Sequence, residues 1–337
     1  MKILITGGAG FIGINTAIHF LKKEDSVTIY DNLSRKNVEK NLVFLSKNFP
    51  KVRVAEKDVR DFTSLKKAVE GSDVVFHFAG QVAVTTSVEN PRDDFENNTL
   101  ATLNVLESIR LSKSKPIILY SSTNKVYGGL EDLRIGEKRT RYVLEDFPNG
   151  ISEERNLDFH SPYGCSKGAA DQYVRDYARI YGLKTIVFRQ SCIYGPHQYG
   201  VEDQGWLAWF IIALTLGQKF TIYGDGKQVR DVLFIQDLIR AFELAIKNIS
   251  KTKGQIYNIG GGTDKSISVW IEFKPMLEKL MKRRINVSFS DWRPGDQRIY
   301  ISDIRKAKKD FGWEPKTGVY EGLEKLYLWV KKNVKQH

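Results

Sequence analysis

A chain of 337 residues carrying a net charge of +12 is long enough for one large α/β domain or for two smaller ones that share a cleft. No apolar stretch approaches the ~18 residues of a membrane span, Met1 leads directly into a strand and a glycine turn where a secretory leader would be basic and then apolar, and Cys165 and Cys192 have neither disulfide nor metal-ligand spacing; the expectation is a cytoplasmic protein with no membrane partner and no metal. The lysines are dispersed through helical stretches such as 36–47 and 247–253 without the aromatic and basic motif of a nucleic-acid binder, so the charge reads as a solvated surface, no nucleic-acid partner is expected, and Arg189, Arg230, Arg293 and Arg298 are left as cations suited to a phosphorylated ligand.

Residues 2–6 read as a short buried strand and Phe11 to Lys23 as a helix, with Gly7, Gly10 and Gly13 in the connection. The first glycine permits the tight turn, the second lets backbone approach a pyrophosphate, and the third lets helix pack on strand. The phosphate then faces the helix N-terminus, which Phe11 and Ile12 open. A second strand, Ser26 to Tyr30, ends at Asp31, where a carboxylate accepts hydrogen bonds from an adenosine ribose and repels a 2′-phosphate. That favours NAD over NADP, with Asn32, Ser34 and Arg35 next in the same cofactor loop.

Val52 to Ala55 is a third strand. After it, Asp58 either contacts an adenine or caps the helix Phe62 to Glu70, and Val59 packs on the base. Val74 to Phe78 is a fourth strand with a core histidine, His77, and it runs into Ala79, Gly80 and Gln81, where a dinucleotide can lie close. Pro91 to Ser112 reads as one long amphipathic helix that carries Asn98, and Ile117 to Tyr120 as a fifth strand that breaks into Ser121, Ser122 and Thr123. Strands alternating with helices at these intervals give a Rossmann-type α/β fold with a doubly wound parallel sheet.

The polar stretch between Gly128 and Ser161 is too long for a minimal connection and reads as a lid or a substrate wall. Lys184 to Arg189 is a sixth strand, after which the rhythm changes. Gln204 and Trp206 stand at the entrance of an aromatic helix, placed to meet a ligand, while Trp209 and Phe210 are expected in the core. Gln228 to Asp237 reads as a strand running into a helix, and Gln255 to Ile259 as a further strand. The expected division is a cofactor domain of residues 1–190, joined by about 228–260 returning from the C-terminal half, and a smaller substrate-binding lobe, 191–337.

Tyr163 and Lys167 lie four residues apart, on one face of a helix that begins near Pro162. A phenol with a pKa near ~10 is a poor base at neutral pH until a fixed positive charge favours the phenolate, and Lys167 can supply that charge. Alone the pair is a weak signal. In an open α/β sheet, however, the loops after the first and fifth strands gather at the carboxyl edge where ligands bind, so Thr123 and Tyr163 are expected to face one pocket.

In order and spacing, Thr6 to Gly13, Tyr163 with Lys167, Arg230-Asp231 and Arg293-Pro294-Gly295-Asp296-Gln297 resemble the extended short-chain dehydrogenase/reductases that act on nucleotide sugars, the NAD-dependent epimerase/dehydratase family, over almost the whole chain. The resemblance implies a catalytic triad of Thr123, Tyr163 and Lys167, with Tyr163 as base. Lys167 would hold the nicotinamide ribose and depress the tyrosine pKa, beside Ser121. It further implies that Arg230 and Arg298 grip the diphosphate, with Gln81, Thr85, Asn124, Gln190, Ser191, Gln204 and Trp206 around the substrate. Helices 91–112 and 163–181 resemble those that join subunits, which implies a homodimer or homotetramer.

Within the family, 80–87, 121–128, 158–173 and 203–206 resemble the branch that epimerises CDP-hexoses at C2, although Gln190-Ser191-Cys192 replaces the usual sugar contact. A 4,6-dehydratase usually carries Asp-Glu directly after the threonine. Asn124 and Lys125 stand there, so dehydration is disfavoured. A UDP-sugar 4-epimerase has the same triad and is the runner-up. A non-catalytic NAD-binding protein is a third reading, which the retained Tyr163 and Lys167 oppose. The C2 hydrogen of a sugar is not acidic, so inversion there requires oxidation at C2 itself, with hydride returned to the opposite face of a 2-keto sugar.

Overall fold

In a computed structural model of the chain, residues 1–293 and 296–334 are described. Pro294 and Gly295 of the arginine motif, and the last three residues of the 191–337 segment, lie outside the described residues. Seven parallel strands form the large sheet, in the edge-to-edge order Gln255–Ile259, Thr185–Gln190, Ile117–Thr123, Val74–His77, Lys2–Thr6, Ser26–Asp31 and Arg53–Glu56. Their side chains alternate between two cores. Ile3, Ile5, Val74, Phe76, Leu119, Ile186 and Phe188 enter one, against the helices Phe11–Lys22 and Ile235–Lys247. Leu4, Val75, Ile118, Tyr120 and Val187 enter the other, against Ala101–Leu111 and Ser161–Tyr181. A sheet covered on both faces needs strands that are apolar at every position, which is why they read as short continuous runs.

The strand order reverses between Lys2–Thr6 and Val74–His77, and the crevice beyond their carboxyl ends is the ligand position of such a sheet. His77 on that strand is a satisfied core residue. Its ring nitrogens meet Thr6 Oγ1 at 2.7 Å and Thr102 Oγ1 at 3.0 Å, and burial draws its pKa down to about 3.

Three features depart from the sequence reading. The helix from Pro91 to Leu111 is interrupted by a π-helical turn, Glu96–Leu100, a change of period that apolar spacing does not register. The stretch after Gly128 contains a small antiparallel hairpin, Ile135–Glu137 with Tyr142–Leu144, fastened to the C-terminal half by Arg141 Nε to Glu272 Oε1 at 2.7 Å and Tyr142 OH to Asp225 Oδ2 at 2.5 Å. Gln255–Ile259 returns to the large sheet, but Val229–Phe234 pairs with Cys192–Tyr194, Ser266–Ser268 and Ile299–Tyr300 in a separate small sheet. Among the described residues no helix is long and apolar enough to cross a membrane.

Candidate active site

Gly7 leaves the first strand with φ +67°, and a Cβ there would lie 2.6 Å from the Ala79 nitrogen. One at Gly13 would lie 2.4 Å from the Gly7 carbonyl oxygen. Any other residue would push the turn off the neighbouring strand end or the helix off the turn. Gly10 precedes the helix Phe11–Lys22, and no side chain caps it, so the helix N-terminus is presented to an anion.

A cavity of about 380 Å³ opens from this turn, and Gly7, Gly10, Asp31, Asn32, Ser34, Arg35, Val59, Phe78, Ala79, Gly80 and Gln81 line it. The Asp31 carboxylate accepts from the Ala9 N–H at 3.0 Å and the Leu33 N–H at 2.9 Å; burial pushes its pKa up, and these bonds and the Arg35 charge oppose the rise. Gln81 donates from Nε2 to the Ala83 carbonyl at 2.6 Å, while its buried Oε1 has no partner among the described residues. A cradle that a Cβ would fill, an orphaned buried acceptor and a carboxylate at the second strand's end fit a dinucleotide.

Phe11 borders a small recess shared with Gly10 and Arg35, and Ile12 packs against the core. Asp58 lies outside the cavity. Its hydrogen bonds with Arg60 hold its carboxyl down to about 2, and the cap of the helix Phe62–Val69 is Asp61, which accepts from the Ser64 N–H at 3.1 Å. Sequence reasoning missed Asn97, Val201 and Asp203 in the cavity wall. The π-helical turn brings in Asn97, and the turn at 201–204 contributes the other two.

Thr123 ends its strand opposite Gln190. It donates to Asn124 Oδ1 at 3.3 Å and accepts from the Lys125 N–H at 3.2 Å, and its hydroxyl acts to lower the Tyr163 phenol. Tyr163 sits in the first turn of Ser161–Tyr181, its backbone N–H donating to Ser87 Oγ at 3.1 Å. Burial pushes its phenol up to about 12; the Thr123 hydroxyl opposes this, the Asp94 carboxylate adds to it, and Arg35 pulls the other way.

One turn on, Lys167 Nζ donates to the Ser121 carbonyl at 2.6 Å and lies 4.4 Å from the centre of the Tyr120 ring. Burial draws its ammonium down to about 7, against the pull of Asp171 and Asp94. Among the groups that act on the Tyr163 phenol, Arg35 is the cation that pulls its pKa down, against burial. Behind the pair, Asn98 Nδ2 donates to Asp94 Oδ1 at 3.0 Å and Ser166 Oγ at 3.1 Å. Asn98 Oδ1 has no partner among the described residues.

A second cavity, of about 250 Å³, has Gln204, Trp206, Arg230, Arg293, Asp296 and Lys125 in its wall. Arg230 pairs with Asp296 at 3.1 Å, and Arg293 lies 3.9 Å from the Tyr223 ring centre and 3.1 Å from Asp203. Arg298 lies outside it, exposed, over the rings of Tyr142 and Trp292. Arg189 is not available to a phosphate either. It is buried and bound through two nitrogens to Asp171, both at 2.9 Å.

Trp209 and Phe210, expected in the core, also line this cavity, although Phe210 stacks on Phe220 at 4.4 Å. Gln190 Nε2 is buried without a partner among the described residues, Ser191 Oγ donates to Asp231 Oδ1 at 2.5 Å, and Thr85 Oγ1 donates to Asp203 Oδ2 at 3.4 Å. Asp203 and Gln204 line both cavities, and Gln204 Oε1 accepts from Arg35 across the cleft. Sequence reasoning used Lys125 only as an argument against dehydration and did not place it in a cavity wall, where it stands. Burial and the facing Arg230 draw its ammonium down to about 8, Asp296 and Cys192 opposing.

The protein-family model described as GDP-mannose 4,6 dehydratase matches residues 4–326. The chain is 46% identical to CDP-paratose 2-epimerase of Salmonella typhi over 337 residues, 98% of this chain and 99% of that protein. Among solved structures, it is similar to UDP-glucose 4-epimerase of Thermotoga maritima with UDP-glucose, at a TM-score of 0.84 and 31% identity over 99% of this chain and 100% of that one. It is also similar to UDP-glucuronic acid 4-epimerase of Bacillus cereus in complex with UDP-glucuronic acid and NAD, at a TM-score of 0.82 and 27% identity over 98% and 99%.

Proposed function

The chain belongs to the extended short-chain dehydrogenase/reductases, in the NAD-dependent epimerase/dehydratase family, and from that premise we propose that it is a nucleotide-sugar epimerase that inverts C2 of a CDP-activated hexose. The observation that carries the C2 reading is the 46% identity, end to end, with a CDP-paratose 2-epimerase. The cavity chemistry supports it. Directly after Thr123, where a dehydratase needs an acid and a base to remove water, Asn124 is spent on the Thr123 hydroxyl and Lys125 is a cation.

Tyr163 takes the proton of the C2 hydroxyl on oxidation and returns it on reduction, and Thr123 orients both oxygens. NAD, when bound, supplies the hydride acceptor and then the donor at C2. The glycine turn and Asp31 hold the cofactor through the whole cycle, which a single hydride taken and returned demands. Arg230 holds the diphosphate, so the hexose can present its other face while the nucleotide stays in place. Residues 1–190, with the returning C-terminal strand, form the cofactor half in this reading, and 191–337 the sugar-nucleotide lobe. The exposed Phe95, Leu100, Tyr173 and Ile180 on the helices 91–111 and 161–181 support a homo-oligomer joined through those helices. The two free cysteines suit a reducing cytoplasm.

The experiment is incubation of the purified protein, with no added cofactor, with CDP-glucose, CDP-paratose and UDP-glucose in D2O, followed by NMR. A C2 epimer free of deuterium at C2 is expected. Deuterium at C2 would overturn the hydride route, and a C4 epimer of UDP-glucose would install the 4-epimerase reading, which the 31% identity to the Thermotoga enzyme supports.

A further inference from the structure

Lys125 follows Thr123 at a distance of two residues, and its backbone N–H is tied to the Thr123 hydroxyl at 3.2 Å. Its side chain enters the 250 Å³ cavity beside Arg230. There it donates one long hydrogen bond, 3.4 Å, to the neutral amide oxygen of Gln297, and no carboxylate forms an ion pair with it among the described residues. The nearby carboxylate, Asp296, is committed to Arg230. Arg293, on the same wall, is already neutralised by Glu202 and Asp203. Of the three basic side chains in this wall, Lys125, Arg230 and Arg293, Lys125 is therefore the one without an ion pair among the described residues. An anionic group of the ligand is the natural partner for such an ammonium.

The reaction proposed above says which anion. In a nucleotide sugar, C2 is bonded to C1, and C1 carries the glycosyl phosphate; C4 lies across the ring. A sugar that presents C2 to Thr123 and Tyr163 therefore brings its glycosyl phosphate close to the same two hydroxyls, whereas one that presents C4 holds that phosphate a ring's width away. A lysine anchored next to Thr123 suits the first arrangement.

We propose that Lys125 is the clamp for the glycosyl phosphate of a substrate reacting at C2, holding it beside Thr123 while Arg230 holds the nucleotide end and the oxidised ring turns over. This inference rests on the C2 reading and adds a substrate contact to it. The selection of C2 over C4 then lies partly in the place of this cation in the chain, its backbone tied to the Thr123 hydroxyl.

The test compares CDP, which has the phosphate in question, with CMP, which lacks it, as ligands of the NAD-loaded wild type, Lys125→Met and Lys125→Arg, alongside C2 turnover of CDP-glucose. The expected result is that Lys125→Met loses at least tenfold of the preference for CDP over CMP, with CMP affinity unchanged and KM for CDP-glucose raised by a similar factor. Lys125→Arg keeps most of the preference. A merely structural role would weaken CDP and CMP together, and that outcome overturns the clamp, as does an unchanged CDP preference in Lys125→Met when the wild type inverts C2. A wild type that inverts C4 and not C2 overturns the underlying reading, and the clamp with it, whatever the two ligands do.

Discussion

Lys167→Met separates what this lysine does for the chemistry from what it costs the fold. Its ammonium is drawn from an ordinary 10.5 to about 7, so at pH 7 the folded protein holds it about half protonated while the unfolded chain holds it fully protonated. The unfolded state binds more protons between about pH 7 and 10.5, and the Lys167 contribution to stability therefore rises with pH across that window. At ~1.36 kcal/mol per pKa unit, the burial penalty is about 4 kcal/mol at pH 7 and shrinks to about 1 kcal/mol at pH 10. Methionine removes the penalty, but leaves the Ser121 carbonyl without the donor 2.6 Å away and forfeits the contact with the Tyr120 ring. Those losses cost about 1–3 kcal/mol together. The variant should thus be more stable than wild type by about 2 kcal/mol at pH 7 and no more stable at pH 10, while turnover is lost. Urea unfolding of both proteins at the two pH values measures the difference. A variant less stable at pH 7, or a difference that does not change with pH, would refute the reasoning.

Tyr163→Phe removes the hydroxyl that carries the proton and little else, since the ring stays buried. Turnover should fall by at least ~10³-fold with NAD retained, read by single-turnover kinetics and by the cofactor released on denaturation. Asp171→Asn leaves the buried Arg189 guanidinium without its counter-charge, and urea unfolding should show a loss of about 3–5 kcal/mol; a loss below about 1 kcal/mol would mean that Tyr127, 3.0 Å from Arg189, suffices as its partner. Ile180→Asp places a charge on the exposed helix face proposed to join subunits, and the mass measured by light scattering should drop to that of a monomer. An unchanged mass would locate the contact elsewhere.

The large sheet was legible because most of its parallel strands are sealed on both faces and so read as short apolar runs, the edge strand Arg53–Glu56 being the exposed exception. The same property limits what such a run can say. Val229–Phe234 and Gln255–Ile259 look alike as strings, yet only the second returns to the large sheet. The choice is made by partners, Cys192–Tyr194 for one and Thr185–Gln190 for the other, and neither partner is near in sequence. The hairpin at 135–144 escaped because three-residue strands hardly show an alternation. Asp58 was read as a possible helix cap, but Asp61, directly before Phe62, takes that place, and Asp58 is bound by Arg60.

The four arginines make the point for the site itself. Nothing local distinguishes Arg189, buried against Asp171, from Arg230 and Arg293, which face a cavity, or from Arg298, which lies over two aromatic rings. Each is sorted by residues contributed from distant segments. Spacing along a helix was enough to bring Tyr163 and Lys167 to one face, since that depends only on the helical period. Their protonation was beyond it. Desolvation pushes the phenol up and the ammonium down, and both shifts come from the packing of the whole domain around the pair. Burial thus favours the neutral form of each group, and the groups that oppose it at the phenol are the Thr123 hydroxyl and Arg35. Arg35 lines the first cavity and is bound to Gln204, which lines both, so the charge that lowers the phenol is linked to the walls of both cavities.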